Sequence, residues 1–153
     1  MAKKLILLDL DHTLIYGSYA GTETADKLFK FNAYLSVYER PLARDLVLLC
    51  QQKGDIVIYT TALKTYAKKI SKALKICPLE ILSRKDCIKI NEHYTKAIKA
   101  EWMITYDEII VIDDSPNVWK NYSNSIVFLV PSEFRGDSAD FELKSILDKV
   151  RLL

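Results

Sequence analysis

The apolar run Leu5-Ile6-Leu7-Leu8 gives way at once to acid, in Asp9-Leu10-Asp11-His12-Thr13. Four consecutive large aliphatics with no polar alternation predict a strand over 4–10 that is buried on both faces. Such strands belong to parallel α/β sheets, which bind ligands beyond the carboxyl ends of their strands. Two carboxylates two residues apart therefore stand where a ligand site forms. They repel each other unless a cation or a shared proton compensates. The simplest arrangement is a magnesium site with one carboxylate oxygen left free to react.

The pattern recurs. Asp55-Ile56-Val57-Ile58-Tyr59 predicts a second buried strand, ending in Thr60-Thr61, and Ile109-Ile110-Val111-Ile112 a third, ending in Asp113-Asp114. Helices are expected from Pro41, favoured in a first turn, to Lys53 before Gly54; over 63–75, stopped by Pro78; and over 96–103. Shorter strands are expected near 79–82, 87–90 and 125–130, with a turn at 91–93 and a closing helix over 140–150. This alternation predicts an α/β fold, a three-layer Rossmann-like parallel sheet covered by helices. Residues 15–38 interrupt it with a turn-prone polar stretch and then a partly alternating one, which predicts a small flap or hairpin. With no repeat or linker, the expected organisation is one domain over 1–153.

Half of the 153 residues are hydrophobic and 27% are charged, which fits a soluble globular chain with a proper core. A formal net charge of +2 is too small to argue for nucleic acid by itself. No apolar stretch approaches the ~20 residues of a membrane span, and Asp9 and Asp11 interrupt the apolar region that a signal peptide needs. Cys50, Cys77 and Cys87 lack metal-ligand spacing and read as reduced thiols of an intracellular protein, nuclear or cytoplasmic. His12 and His93 lack partner spacing for zinc or a triad. There is no Gly-x-x-x-x-Gly-Lys loop, so a bound phosphate must be neutralised some other way.

Strand–Asp-x-Asp-x-Thr, strand–Thr-Thr, a lysine, then strand–Asp-Asp form a specific order. It resembles the motif set of the haloacid dehalogenase superfamily of phosphotransferases. Further stretches resemble its FCP/SCP-like branch, which includes phosphatases of the RNA polymerase II carboxy-terminal domain: Arg40-Pro41, Ile58-Tyr-Thr-Thr-Ala62 with Tyr66-Ala67, Arg84-Lys-Asp-Cys87, Tyr94-Thr-Lys96, Ile112-Asp-Asp-Ser-Pro116, Asn124, Phe134-Arg-Gly-Asp137 and Asp140-Phe-Glu-Leu143. Ala97 departs from the family, which usually has Asp there. The resemblance implies a haloacid dehalogenase-like sheet with a small flap in place of a large cap. It also implies an Mg²⁺-dependent phosphomonoester hydrolase that works through an aspartyl-phosphate.

On that resemblance Asp9 is the nucleophile and Asp11 the general acid and then base. Lys96 is a fixed cation, and Thr60, Thr61 and Arg84 meet the phosphate. Asp9, Asp11 through its backbone carbonyl, and Asp114 are the expected Mg²⁺ ligands. Asp113 is either a further ligand through water or an orienting partner for Lys96. The expected partner is a phosphorylated protein or peptide, with serine/threonine phosphatase activity of the polymerase-tail type. A phosphatase of nucleotides or nucleic-acid ends would share the same residues but needs a basic, aromatic groove. A catalytically inactive phosphopeptide-binding module is the third reading, and the intact acids argue against it. Tyr16, Tyr19, Phe29 and Phe31 read as flap core rather than as a peptide grip. Lys64, Lys68, Lys72 and Lys75 recur at helical spacing as a solvated basic stripe.

Overall fold

Burial on both faces is what the runs around Leu7, Val57 and Ile110 require. The computed structural model, which describes residues 1–153, meets it with a five-stranded parallel sheet. In chain order the elements are β1 (Lys4–Leu8), β2 (Ile15–Ser18), β3 (Asp26–Lys30), β4 (Ser36–Glu39), α1 (Ala43–Lys53), β5 (Asp55–Tyr59), α2 (Lys64–Ala73), β6 (Glu80–Leu82), β7 (Ile88–Ile90), β8 (His93–Ala97), α3 (Ala100–Thr105), β9 (Glu108–Ile112), β10 (Trp119–Lys120), β11 (Val127–Leu129) and α4 (Leu143–Arg151). The main sheet runs β11-β9-β1-β5-β6. Successive side chains leave a strand on opposite faces. Ile6, Leu8, Ile56, Ile58, Ile110 and Ile112 accordingly pack under α1, α2 and α4. Leu5, Leu7, Val57, Tyr59, Ile109 and Val111 pack against Trp102 and Trp119 on the other face.

The central place of β1 positions the site. Leu8 is level with Ile58 on one side and with Ile112 on the other. Asp9, Tyr59-Thr60 and Asp113 therefore leave the sheet together. No helix is long and apolar enough to cross a membrane.

Several elements differ from the sequence expectation. The segment 96–103 is not helical throughout: Lys96 lies in β8, which pairs antiparallel with β7 and parallel with β10, and helix begins only at Ala100. The cause is tertiary, because the Lys96 ammonium is drawn into buried acids that a helical turn at this position would not face. The flap is a three-stranded antiparallel sheet, β2-β4-β3, rather than one hairpin. Tyr16, Phe29 and Phe31 are half-buried in it, but Tyr19 is 76% exposed and is not core. The first strand ends at Leu8, so Asp9 and Leu10 are already loop. Pro41 precedes α1, because Leu42 takes a left-handed φ of 72°. Lys75 lies beyond α2, also left-handed, and so leaves the lysine stripe.

The closing helix starts at Leu143 rather than Asp140, because Asp140 is used elsewhere. Its carboxylate receives the Nε and one terminal nitrogen of Arg40, at 2.9 and 3.1 Å. Arg40 is fully buried. Its other terminal nitrogen donates to the carbonyls of Thr13 (3.1 Å) and His12 (3.3 Å), and Phe134 lies against its guanidinium. The end of the acidic motif is thus tied to the entry of α4 through one arginine. Removing one partner of such a pair strands a buried charge at a cost of about 3–5 kcal/mol. Asp140→Ala should lower the unfolding free energy by about that amount in urea titration, whereas truncation of the exposed, singly bonded Arg135 should change it by less than about 0.5 kcal/mol.

Candidate active site

The loop after β1 carries both acids of the motif, and their surroundings differ. Asp9 is buried. Its Oδ1 accepts from the Lys96 ammonium at 3.0 Å and its Oδ2 from the Thr13 hydroxyl at 2.8 Å. The same Lys96 ammonium donates to Asp113 Oδ2 at 2.7 Å. Both oxygens of Asp113 are engaged: Trp119 Nε1 also donates to Oδ2 and the Ser115 amide to Oδ1, both at 2.9 Å. Of the two roles open to Asp113, the hydrogen bonds favour orienting Lys96. Asp114 is less enclosed. Its amide donates to Thr13 Oγ1 at 3.0 Å, and its Oδ1 lies 3.1 Å from that hydroxyl. Thr13 has one proton to give, so it serves Asp9 or Asp114 at any moment.

One ammonium faces three carboxylates here, leaving a charge deficit of two. Burial opposes the Lys96 charge, but Asp9 and Asp113 outweigh it and its pKa is raised. Asp9 is also held above the ordinary carboxylate range, by burial first and by Asp114 as well, against the pull of Lys96. Asp113 is pushed up to about 6 by burial and by the Asp9 charge. We take Lys96 as the charged member of these pairs, since two acids contact it. The carboxylate oxygens of Asp9, Asp113 and Asp114 lie within 4.8 Å of one another. An all-oxygen set lacking two positive charges fits a hard divalent cation. The Asp11 side chain is not part of this cluster; its backbone carbonyl accepts no hydrogen bond within the chain and stays available.

Asp11 is half-buried, and its carboxyl is pushed up to about 6 by burial and then by the neighbouring Asp9 charge. Its Oδ1 accepts from the Tyr66 hydroxyl at 3.3 Å. Tyr66 stands at the junction of α2 and the flap, edge-on to Phe31 at 5.2 Å. A Cβ on Gly17 would come within 2.6 Å of its hydroxyl oxygen, so a larger residue there would have to displace that hydroxyl or shift β2. Between Asp11 and Tyr66 the turn at His12 is left-handed (φ 65°) and is pinned by an Nδ1 contact of 3.0 Å to the Phe134 carbonyl.

Asp9, Asp11, Thr61, Lys96, Asp113 and Asp114 all line one cavity of about 110 Å³. Thr60 and Arg84 do not. Thr60 is buried: its amide donates to the Leu82 carbonyl and its Oγ1 accepts from the Ala62 amide, so it shapes the turn that presents Thr61. The amides of Asp11 and Thr61 donate to nothing within the chain. Arg84 Nε donates to the Thr61 carbonyl at 2.9 Å, and its guanidinium lines the flanking cavities instead. Sequence reasoning gave no role to Thr13, Tyr66, Ser115, Trp119 or Arg40. All but Trp119 stand within the motif stretches that carry the family resemblance. Nothing in the sequence marks Trp119 as a partner of Asp113.

Residues 4–153 match the family model of the NLI interacting factor-like phosphatases. The chain belongs to that family. It is 27% identical over 149 residues to a Caenorhabditis elegans phosphatase of the RNA polymerase II C-terminal domain, covering 90% of this chain and 22% of that protein. The fold matches that of a fission yeast RNA polymerase II CTD phosphatase, an Fcp1 variant bound to beryllium fluoride, with a TM-score of 0.59 at 22% identity, over 98% of this chain and 50% of the other. A second Fcp1 structure, described as an essential RNA polymerase II CTD phosphatase, matches with a TM-score of 0.58 at 22% identity, over 98% and 49%. The chain thus spans about half the length of the matched structures and less of the curated relative. The haloacid dehalogenase-type α/β fold expected from the motifs is the fold observed.

The Tyr66 hydrogen bond favours the ionised form of Asp11, and Phe at that position keeps the ring while deleting the donor. In the metal-free protein, the Asp11 carboxyl followed by carbon-13 NMR should titrate at higher pH in Tyr66→Phe, by up to about one unit. An unchanged midpoint would show that the 3.3 Å contact carries no weight.

Proposed function

We propose that this chain hydrolyses phosphomonoesters through an aspartyl-phosphate on Asp9, and that its substrates are phosphoserine or phosphothreonine residues of proteins, in the nucleus or cytoplasm, as for the polymerase-tail phosphatases it resembles. The observation that carries this reading is the divided environment of two acids on one loop. Asp9 is immobilised between an ammonium and a hydroxyl, while Asp11 holds a proton to about pH 6.

In the proposed cycle Asp9 attacks phosphorus and the seryl oxygen leaves. Asp11 gives that oxygen its proton and becomes a carboxylate. In the second step the Asp11 carboxylate takes a proton from water as the water attacks the aspartyl-phosphate. Phosphate leaves, and both acids return to their starting forms. Lys96 keeps Asp9 oriented and answers the charge on the phosphoryl oxygens, and the free amides of Asp11 and Thr61 are placed to donate to them. Asp9, Asp114 and the Asp11 carbonyl, with Asp113 behind them, would hold Mg²⁺, which when bound supplies the missing positive charge.

The flap bears on substrate size. Beside Asp11 it forms a cavity of about 380 Å³ whose apolar wall includes Phe31, Leu35 and Leu63, with Tyr19 at its edge. An open apolar pocket next to the phosphate position suits a side chain neighbouring a phosphoserine, and favours a peptide over a free metabolite.

Asp9→Asn should lose turnover of an aryl phosphate by at least about 10³-fold with Mg²⁺ present, and mass spectrometry of quenched wild type should find phosphate on Asp9. Wild-type-like turnover in that variant would sink the covalent cycle, and an inert wild type would leave the binding-module reading.

Asp11→Asn should separate the two steps. Loss on a phosphoserine peptide should be about 10²–10⁴-fold, since an alkoxide needs a proton to leave. An aryl phosphate should still phosphorylate Asp9, and the phosphorylated form should accumulate because Asn cannot activate water. In wild type, kcat/KM on the peptide should fall as pH rises through about 6, because the pKa of Asp11 is raised to that region and only the acid form donates. That limb should vanish in Asp11→Asn.

A further inference from the structure

A cavity of about 610 Å³ lies beside the acids rather than over them. Its walls are the β7–β8 hairpin, the turn after β9 that leads into β10, and Arg84. It shares Thr61 and Val118 with the cavity that holds Asp9, so the two are neighbours. A group attached to a substrate whose phosphate meets Asp9 would lie beside it.

The charges in this cleft do not cancel. Glu92 is its acid, and Lys89 pairs with Glu92 at 3.3 Å. Arg84 spends only Nε inside the chain, on the Thr61 carbonyl, and its two terminal nitrogens donate to no protein group. Lys120, exposed at the end of β10, takes part in no ion pair and no side-chain hydrogen bond. Two free cations thus face a concave surface at the mouth of the candidate active site. Arg84 is also held in place: its guanidinium lies over the Tyr94 ring at 5.3 Å, which reduces the freedom lost when it engages a ligand.

Resting on the proposed phosphopeptide activity, we propose that this cleft is a second anion subsite, in which Arg84 and Lys120 take an acidic or phosphorylated side chain a few residues from the phosphoserine under attack. The molecule favours a peptide here over a nucleic acid. Single strands are held by bases stacking on aromatic faces. The aromatic side chain of this cleft is Tyr94, and its ring already carries Arg84 and, at 5.8 Å, Lys89. The apolar flap cavity meets the site at Asp11 and this cleft meets it at Thr61 and Val118, so an extended peptide would set an apolar side chain in one and an anionic one in the other.

Lys120 is the residue to test, because it has no place in the catalytic machinery. The substrates are an aryl phosphate, a phosphoserine peptide with neutral flanks, the same peptide with Glu or a second phosphoserine placed in turn at each of the three positions on either side, and a 5′-phosphorylated oligonucleotide. Wild type should favour at least one anion-flanked peptide over the neutral one by about three- to tenfold in kcat/KM, and the preference should shrink in high salt. Lys120→Glu should remove or invert that preference, and Lys120→Gln should weaken it, with the aryl phosphate and neutral peptide turned over at wild-type rates by both. If flanking anions have no effect in wild type, or their effect survives Lys120→Glu, the subsite is refuted and the phosphopeptide activity stands. If the aryl phosphate is hydrolysed but every peptide is inert, both are overturned. Preference for the oligonucleotide, lost in Lys120→Glu, would overturn the peptide assignment of the cleft.

Discussion

Everything at this sheet edge depends on one ammonium buried between two carboxylates. Taking the charge of Lys96 out of water costs several kcal/mol, and only close, well-oriented anions offset that. Asp9 and Asp113 supply them from the loops that end neighbouring strands, at 3.0 and 2.7 Å. The ion group therefore ties three elements together: the loop after β1, the loop after β9, and β8, which belongs to a different sheet. Tyr59 and Trp119 bring their rings to within 6 Å of the ammonium, and Trp119 also donates to Asp113. The lysine is thereby held at a fixed point beside the Asp9 oxygen. A fixed cation at a reacting centre needs no reorganisation when charge develops there.

A second buried cation works on the far side of the same loop. Arg40 binds Asp140 through two nitrogens and the carbonyls of His12 and Thr13 through the third. Between Lys96 and Arg40 the loop has little freedom, and the left-handed turn at His12 is held within it. The two acids of the motif then diverge because of where they point. Asp9 faces the ammonium and the Thr13 hydroxyl, and Asp11 faces Tyr66 and the flap. Carboxylates with different neighbours titrate differently, and such separation distinguishes a nucleophile from an acid-base group.

Around this rigid centre the surroundings are open. The flap is a small three-stranded sheet beside the site, and Arg84 lines both the apolar cavity under it and the cationic cleft. Its matched relatives are about twice as long or longer, so the neighbourhood of these clefts in a longer chain is a separate matter from the chemistry at Asp9.

Local pattern was enough to dictate the parallel sheet and the convergence of Asp9, Asp113 and the Thr60–Thr61 turn. Unbroken runs of Leu, Ile and Val have to be buried on both faces, and a strand buried that way delivers its end to a known edge. Local pattern could not dictate the path of 93–99. That segment is short and mixed, its residues are compatible with helix, and the deciding interaction is with acids 17 and 87 residues away. The same limit applies to Asp113, whose oxygens are claimed by Trp119 and the Ser115 amide, and to Tyr19, whose exposure depends on how the flap sheet turns. Buried charge was left to the folded chain as a whole. A lysine or arginine reads as surface in any local window, and only the assembled fold brings the carboxylates and carbonyls that make Lys96 and Arg40 stable inside.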